Sequence, residues 1–139
     1  MFRRSFLVAA ALSVLAGGWT YVRAHSKPEN IRIHAATGAE LVNDQGTLLV
    51  DIRRPDEWTQ TGVVEGALLI TFEDAESFLK AVRPHLKTGQ SVSLICRSGN
   101  RTSRAARQLA AAAPDLEFID IGGGMLRVMR EGYRPVRPE

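Results

Sequence analysis

The chain's single cysteine opens the string Cys96-Arg97-Ser98-Gly99-Asn100-Arg101-Thr102, directly after the apolar run Ser91 to Ile95 and before an Ala-rich helical pattern. A loop that joins a buried strand to a helix turns successive backbone N–H groups toward one point and forms a cradle for an anion. A thiol at that point is favoured as the thiolate by those N–H groups, by the positive helix end and by the guanidiniums of Arg97 and Arg101. The expected chemistry is nucleophilic attack by Cys96. Gly99 permits a tight bend or positive φ inside the turn, while Ser98, Asn100 and Thr102 can hydrogen-bond loop groups or cap the helix. Taken alone, a lone cysteine is as compatible with a buried core residue, and Arg97, Arg101 and Arg104 with a solvated basic helix start. Cations at a helix N-terminus are locally unfavourable without an anion to meet, which favours the chemical reading.

The elements that must position this loop are legible in the hydrophobic pattern. Ile31 to His34 reads as a strand, and Thr37-Gly38-Ala39-Glu40 as a capping box opening a helix through about Asn43. Thr47 to Ile52 and Ser91 to Ile95 are apolar runs of strand length, Gly66 to Thr71 is a further short strand, and Phe118 to Ile121 another. Pro55, Asp56 and Glu57 suit a first helical turn, and Phe78, Leu79, Val82 and Leu86 have helix spacing within Phe72 to Leu86. A helix is expected from about Thr102 to Ala113, ended by Pro114, and a short one near Met125 to Arg130 after three glycines. Apolar strands alternating with helices imply an α/β fold, a small parallel sheet flanked by helices on both faces. Ligands in such sheets bind beyond the carboxyl ends of the strands, and Cys96 follows one such end.

Length and composition set limits on everything else. The 139 residues suit one domain, with 45% apolar and 24% charged residues, close to globular averages. The formal charge of +3 hints at nucleic acid or anionic membrane as partner. Residues 1–24, however, hold three arginines and no acids; without them the basic residues fall to 15, equal to the 15 acids. Nucleic-acid binding is therefore not expected. Arg3 and Arg4 precede an apolar run, Phe6 to Ala16, and then two glycines, which is the layout of an export leader and too short to span a bilayer comfortably. The expectation is a signal peptide over 1–24, cleaved after Ala24 or alternatively Ala16, ahead of a domain over 25–139. Arg3-Arg4-Ser5-Phe6-Leu7 also resembles a twin-arginine export motif. The expected location is outside the cytoplasm, in the periplasm, with membrane contact only through an uncleaved leader. One cysteine excludes an internal disulfide, and His25, His34 and His85 lack metal-ligand spacing.

Three separated segments together are similar to the rhodanese family, single-domain thiosulfate sulfurtransferase-like proteins, over about Ile31 to Pro135. They are Leu49-Val50-Asp51-Ile52-Arg53-Arg54-Pro55-Asp56-Glu57-Trp58, the loop Cys96 to Arg101, and Asp120-Ile121-Gly122-Gly123-Gly124-Met125. Four residues separate Cys96 from Arg101, and Thr102 stands where related phosphatase loops carry arginine. The resemblance implies that Cys96 is the catalytic nucleophile and carries sulfur as a persulfide. It implies that Arg97, Ser98, Gly99, Asn100, Arg101 and Thr102 bind a small anionic sulfur donor, with a thiol or cyanide as acceptor and no metal or organic cofactor. Asp51 and Arg53 match family positions and are expected to brace the site; Trp58 is expected to pack. Gly62-Val63-Val64-Glu65-Gly66-Ala67 replaces a common histidine-containing segment, so no pocket histidine is expected, and Val128 replaces a common tryptophan. The rival readings are a noncatalytic binding or sulfur-sensing module, a redox-sensor thiol and a phosphatase-like enzyme.

Overall fold

The computed structural model describes residues 29–138. The expected leader lies outside the described residues.

Five strands form one sheet: β1 (Ile31–His34), β2 (Thr47–Asp51), β3 (Leu68–Leu69), β4 (Ser91–Ile95) and β5 (Phe118–Ile121). Their spatial order is β1-β5-β4-β2-β3, and every pairing is parallel. The helices are α1 (Gly38–Asn43), α2 (Pro55–Thr61), α3 (Ala75–Val82), α4 (Asn100–Ala112) and α5 (Gly124–Arg130), with a 3₁₀ turn at Arg83–His85 after α3. This is the α/β arrangement expected from the pattern.

Successive strand residues point to opposite faces, and the sequence supplies apolar side chains to both. Val50, Val92, Leu94 and Phe118 join Phe78, Val82, Ala106 and Leu109 of α3 and α4 in one core. Leu49, Ile95, Ile119 and Ile121 join Leu41 of α1 and Met125 and Val128 of α5 in the other. Central strand β4, buried at four of its five positions, therefore has no polar face to alternate with. In α4 the alanines are the device: Ala105, Ala106 and Ala110 are buried, and their small side chains let the helix lie close over the sheet.

Local signals set most boundaries. Thr37 caps α1 with the reciprocal bonds of a capping box, its hydroxyl accepting from Glu40 N–H at 3.3 Å while Thr37 N–H donates to the Glu40 carboxylate at 2.6 Å. Three expectations need correcting. The strand expected over Gly66 to Thr71 is only two residues long, because it pairs β2 on one side and has no neighbour on the other. The helix expected from Phe72 begins at Ala75, where the Asp74 carboxylate accepts from Ser77 N–H at 2.9 Å, and tightens to 3₁₀ geometry at Pro84. Finally, α4 begins at Asn100 rather than Thr102, because Gly99 takes a left-handed conformation, φ 94°, and serves as the cap itself.

Candidate active site

From β2 the chain steps outward to β3 on one side, then crosses back to lay β4 on the other. The order reverses there, so the carboxyl ends of β2 and β4 border the crevice where such sheets place ligands. Asp51 ends β2 and Cys96 follows β4. The two strand ends are joined by the Ile52 N–H, which donates to the Ile95 carbonyl at 3.0 Å.

The Cys96 side chain lies at the floor of the loop, 1% exposed, with its back against the α3–α4 core. Gly99 N–H donates to Sγ at 3.2 Å, and Thr102 Oγ1 stands 3.7 Å from it. The same Thr102 hydroxyl donates to the Gly99 carbonyl at 2.9 Å, which fixes the first turn of α4 over the sulfur. Arg97, Ser98 and Asn100 are exposed and form the rim. The loop thus turns one backbone donor and a helix N-terminus toward a single sulfur, an arrangement suited to a negative charge there.

The two flanking arginines are placed differently. Arg97 has no ion-pair or hydrogen-bond partner for its side chain among the described residues. Arg101, by contrast, is engaged end-on by Glu57 of α2, with one guanidinium nitrogen 2.7 Å from Oε2 and the other bonded to Oε1. Its charge is compensated, so the field at the loop rim comes mainly from Arg97 and the helix end. The Arg101 hydrogen bonds, with the Arg54 backbone N–H, hold the Glu57 carboxyl down at about 2 from its ordinary 4.5. A carboxyl lowered on folding contributes stability that is complete above its unfolded value and fades as the pH falls toward the folded one. The contribution should therefore be lost between about pH 4.5 and 2. With the Arg101 side chain 40% exposed, solvent screening limits it to about 1 kcal/mol. Urea unfolding across that range should show Glu57→Gln with a flatter acid limb than the parent; equal slopes would refute the pairing.

Below the loop, Asp51 and Arg53 form a fully buried pair, with Arg53 Nε 2.9 and 3.0 Å from the two carboxylate oxygens and a terminal nitrogen at 2.7 Å. The remaining Arg53 donors reach Thr61 Oγ1 at 2.6 Å and the Gly62 carbonyl at 2.7 Å, and its own carbonyl accepts from Thr71 Oγ1 at 2.8 Å. Every contact is to the protein. The pair fastens the end of β2 to the far end of α2, and α2 in turn carries Glu57 to Arg101.

A third element closes the other side. Met125 N–H donates to the Cys96 carbonyl at 2.8 Å and Leu126 N–H to the Arg97 carbonyl at 3.0 Å, so the first turn of α5 is hydrogen-bonded onto the loop. Gly124 makes this approach feasible: at φ 57°, a Cβ there would collide with the Cys96 carbonyl oxygen and stand 2.8 Å from the Arg97 carbonyl carbon. Gly124→Ala is expected to cost about 2–4 kcal/mol, from left-handed strain plus overpacking against backbone. Thermal unfolding measures this, and an unchanged midpoint would contradict the close approach.

Of the residues expected at the site, Cys96, Gly99 and Thr102 meet at the sulfur, Arg97, Ser98 and Asn100 form the rim, and Arg101 is turned to Glu57. Asp51 and Arg53 lie beneath. Glu57 and Gly124 were read only as parts of the family-like segments, Glu57 also as a first-turn helix acid, and Thr61 not at all; none was given a part in the site, although the acid in the first turn of α2 was an available signal, since that helix faces the same crevice. Asp120, which entered only as the head of the third family-like segment, is buried and accepts from the Ser103 hydroxyl of α4. Among the described residues no cluster of side chains could hold a metal ion, and no helix is long and apolar enough to cross a membrane.

No curated protein sequence matches the chain. Among solved structures, a rhodanese-related protein of Thermoplasma volcanium is similar at 25% identity and TM-score 0.54, covering 72% of this chain and 94% of its own. An uncharacterized protein of Saccharomyces cerevisiae shares the fold at 18% identity and TM-score 0.53, covering 75% of this chain and 95% of its own. A sequence model of the rhodanese-like domain matches residues 35–135, which contain the β2 end, the Cys96 loop and the glycines before α5. Matched over most of its length and built on the same sheet, the chain belongs to the rhodanese-like domain family.

Proposed function

We propose that this protein is a sulfurtransferase that carries sulfane sulfur on Cys96. The observation that supports it most is the cysteine held at the end of β4, with a backbone N–H and the start of α4 directed at its sulfur. The thiolate attacks the outer sulfur of thiosulfate or a similar donor; a new S–S bond forms, the donor's S–S bond breaks, and its electron pair leaves with sulfite. The charge on the resulting persulfide is met by the Gly99 N–H and the helix end. Arg97, on the rim and uncompensated, holds the anionic donor. Arg101 contributes when its bond to Glu57 loosens, so Glu57→Gln should lower the donor concentration that half-saturates loading. A thiolate or cyanide then takes the outer sulfur and Cys96 departs as thiolate. Access to the buried sulfur is through the exposed rim of Arg97, Ser98 and Asn100.

Incubation with thiosulfate should add one sulfur atom to the intact mass, removed by cyanide and absent in Cys96→Ser. No adduct with any sulfane donor would leave the protein a binding module of the same fold. We further propose that residues 1–24 export the domain to the periplasm. Support comes from the paired arginines, the short apolar run and the small residues at its end. Cell fractionation with N-terminal sequencing tests it, and a full-length cytoplasmic protein would refute it.

A further inference from the structure

Asp120 is a buried carboxylate that the proposed reaction does not use. It lies on β5, between β1 and β4, in a strand buried at all four positions, and is itself 3% exposed. Among the described residues no cation pairs with it. Oδ2 accepts from the Ser103 hydroxyl of α4, and Oδ1 has no hydrogen-bond partner. A buried carboxylate with one oxygen unmet costs stability, and such costs are retained where a site needs them. The sheet register gives its place. Asp120 is paired with Leu94 of β4, and Cys96 follows Leu94 by two residues, so the two side chains stand on the same face of the sheet, under the start of α4.

A continuous chain of contacts runs from Asp120 to the sulfur. The Ser103 hydroxyl donates to Asp120, the Ser103 N–H donates to the Gly99 carbonyl at 3.1 Å, and the Gly99 N–H donates to Cys96 Sγ at 3.2 Å. A serine inside a helix commonly turns its hydroxyl back to an earlier carbonyl of the same helix. Ser103 turns its hydroxyl to the sheet, and an acceptor-only carboxylate fixes which way that proton points. The chain leaving β5 meets the loop a second time, since a Cβ on Gly99 would stand 3.1 Å from the Gly123 nitrogen. The start of α4 is thus seated on β5 by one side-chain bond and one backbone contact.

We propose that Asp120 is a positioning residue for Cys96: through Ser103 it holds the first turns of α4 so that the Gly99 N–H meets the sulfur as negative charge develops there. The inference rests on the reading of Cys96 as the sulfur-carrying nucleophile. Asp120 touches neither donor nor acceptor, and no bond is made or broken at it. Its leverage is geometric, because a misplacement of about 1 Å at a reacting centre is enough to slow a reaction.

The test follows persulfide formation on full-length protein by rapid quench and intact mass over a range of thiosulfate concentrations. Alkylation of Cys96 by iodoacetamide at neutral pH is measured beside it and needs no sulfur transfer. Ser103→Ala removes the bond, suits a helix, and leaves in place every charged group around the loop: Arg97, Arg101 with Glu57, the Asp51–Arg53 pair and Asp120 itself. Loss of one ordinary hydrogen bond should lower the maximal loading rate about fivefold and slow alkylation to a similar extent. The half-saturating thiosulfate concentration should stay within about twofold, since Arg97 is untouched. Ser103→Thr keeps the hydroxyl and should recover most of both rates. Asp120→Asn should also slow loading, and adding it to Ser103→Ala should cost little more, because both act through one bond. Urea unfolding curves establish that each rate refers to folded protein. Parental rates in Ser103→Ala, a folded Ser103→Thr as slow as Ser103→Ala, or a change confined to the half-saturating concentration would overturn the assignment. A parent that is alkylated at Cys96 but loads from no sulfane donor would instead overturn the sulfurtransferase reading on which the proposal stands.

Discussion

Cys96→Ser should abolish persulfide formation and reduce turnover of thiosulfate by at least about 10³-fold, because a hydroxyl at this position is a far weaker nucleophile than a thiolate. The fold should survive. The Gly99 N–H that donates to Sγ can donate to a serine oxygen, and the swap removes little volume from the α3–α4 core. A stability change of no more than about 1–2 kcal/mol is expected, the penalty for a hydroxyl among apolar neighbours offset by that hydrogen bond. Steady-state assay with intact mass, beside a urea unfolding curve, separates the two effects. Residual turnover above a few per cent with a native unfolding curve would mean that another group carries the chemistry.

Arg53→Met is expected to have the largest effect on stability, about 3–5 kcal/mol, because it leaves the Asp51 carboxylate buried without its counter-ion. For a domain of this size the loss is a large share of the roughly 5–15 kcal/mol that holds it folded. It also frees the Thr61 hydroxyl and the Gly62 carbonyl, so the far end of α2 should loosen. Replacing both members, Asp51→Leu with Arg53→Met, should recover part of the loss, since no unpaired charge then remains. Urea midpoints of the parent, Arg53→Met, Asp51→Leu and the double variant make the cycle. Persulfide loading per folded molecule should be almost unchanged in the double variant if the pair is a brace. A collapse of loading with stability restored would place Arg53 in contact with substrate.

These two predictions draw on different kinds of information. The Cys96 loop is legible because it is local: an apolar run, a nucleophile, a glycine that can take positive φ and a helical pattern follow one another within about twenty residues. The same holds for β2, β4 and β5 as apolar runs and for the Thr37–Glu40 capping box, where the bonding partners are three residues apart. Even so, the start of α4 was displaced by two residues, since whether Gly99 or a later hydroxyl caps the helix depends on the fit of the loop against α5.

The cysteine's setting at a strand end, in a loop leading to a helix, and the parallel α/β class were therefore determined by the sequence alone. Which guanidinium faces an anion was decided only by the tertiary structure. Arg97 and Arg101 look equivalent along the chain, yet α2 brings Glu57, 44 residues away in sequence, against Arg101 and leaves Arg97 uncompensated. The same crossing of β4 past β2 creates the crevice beside the buried sulfur. Partners of this kind are chosen by strand order and helix placement, long-range outcomes of packing two apolar faces at once, and no local pattern encodes them.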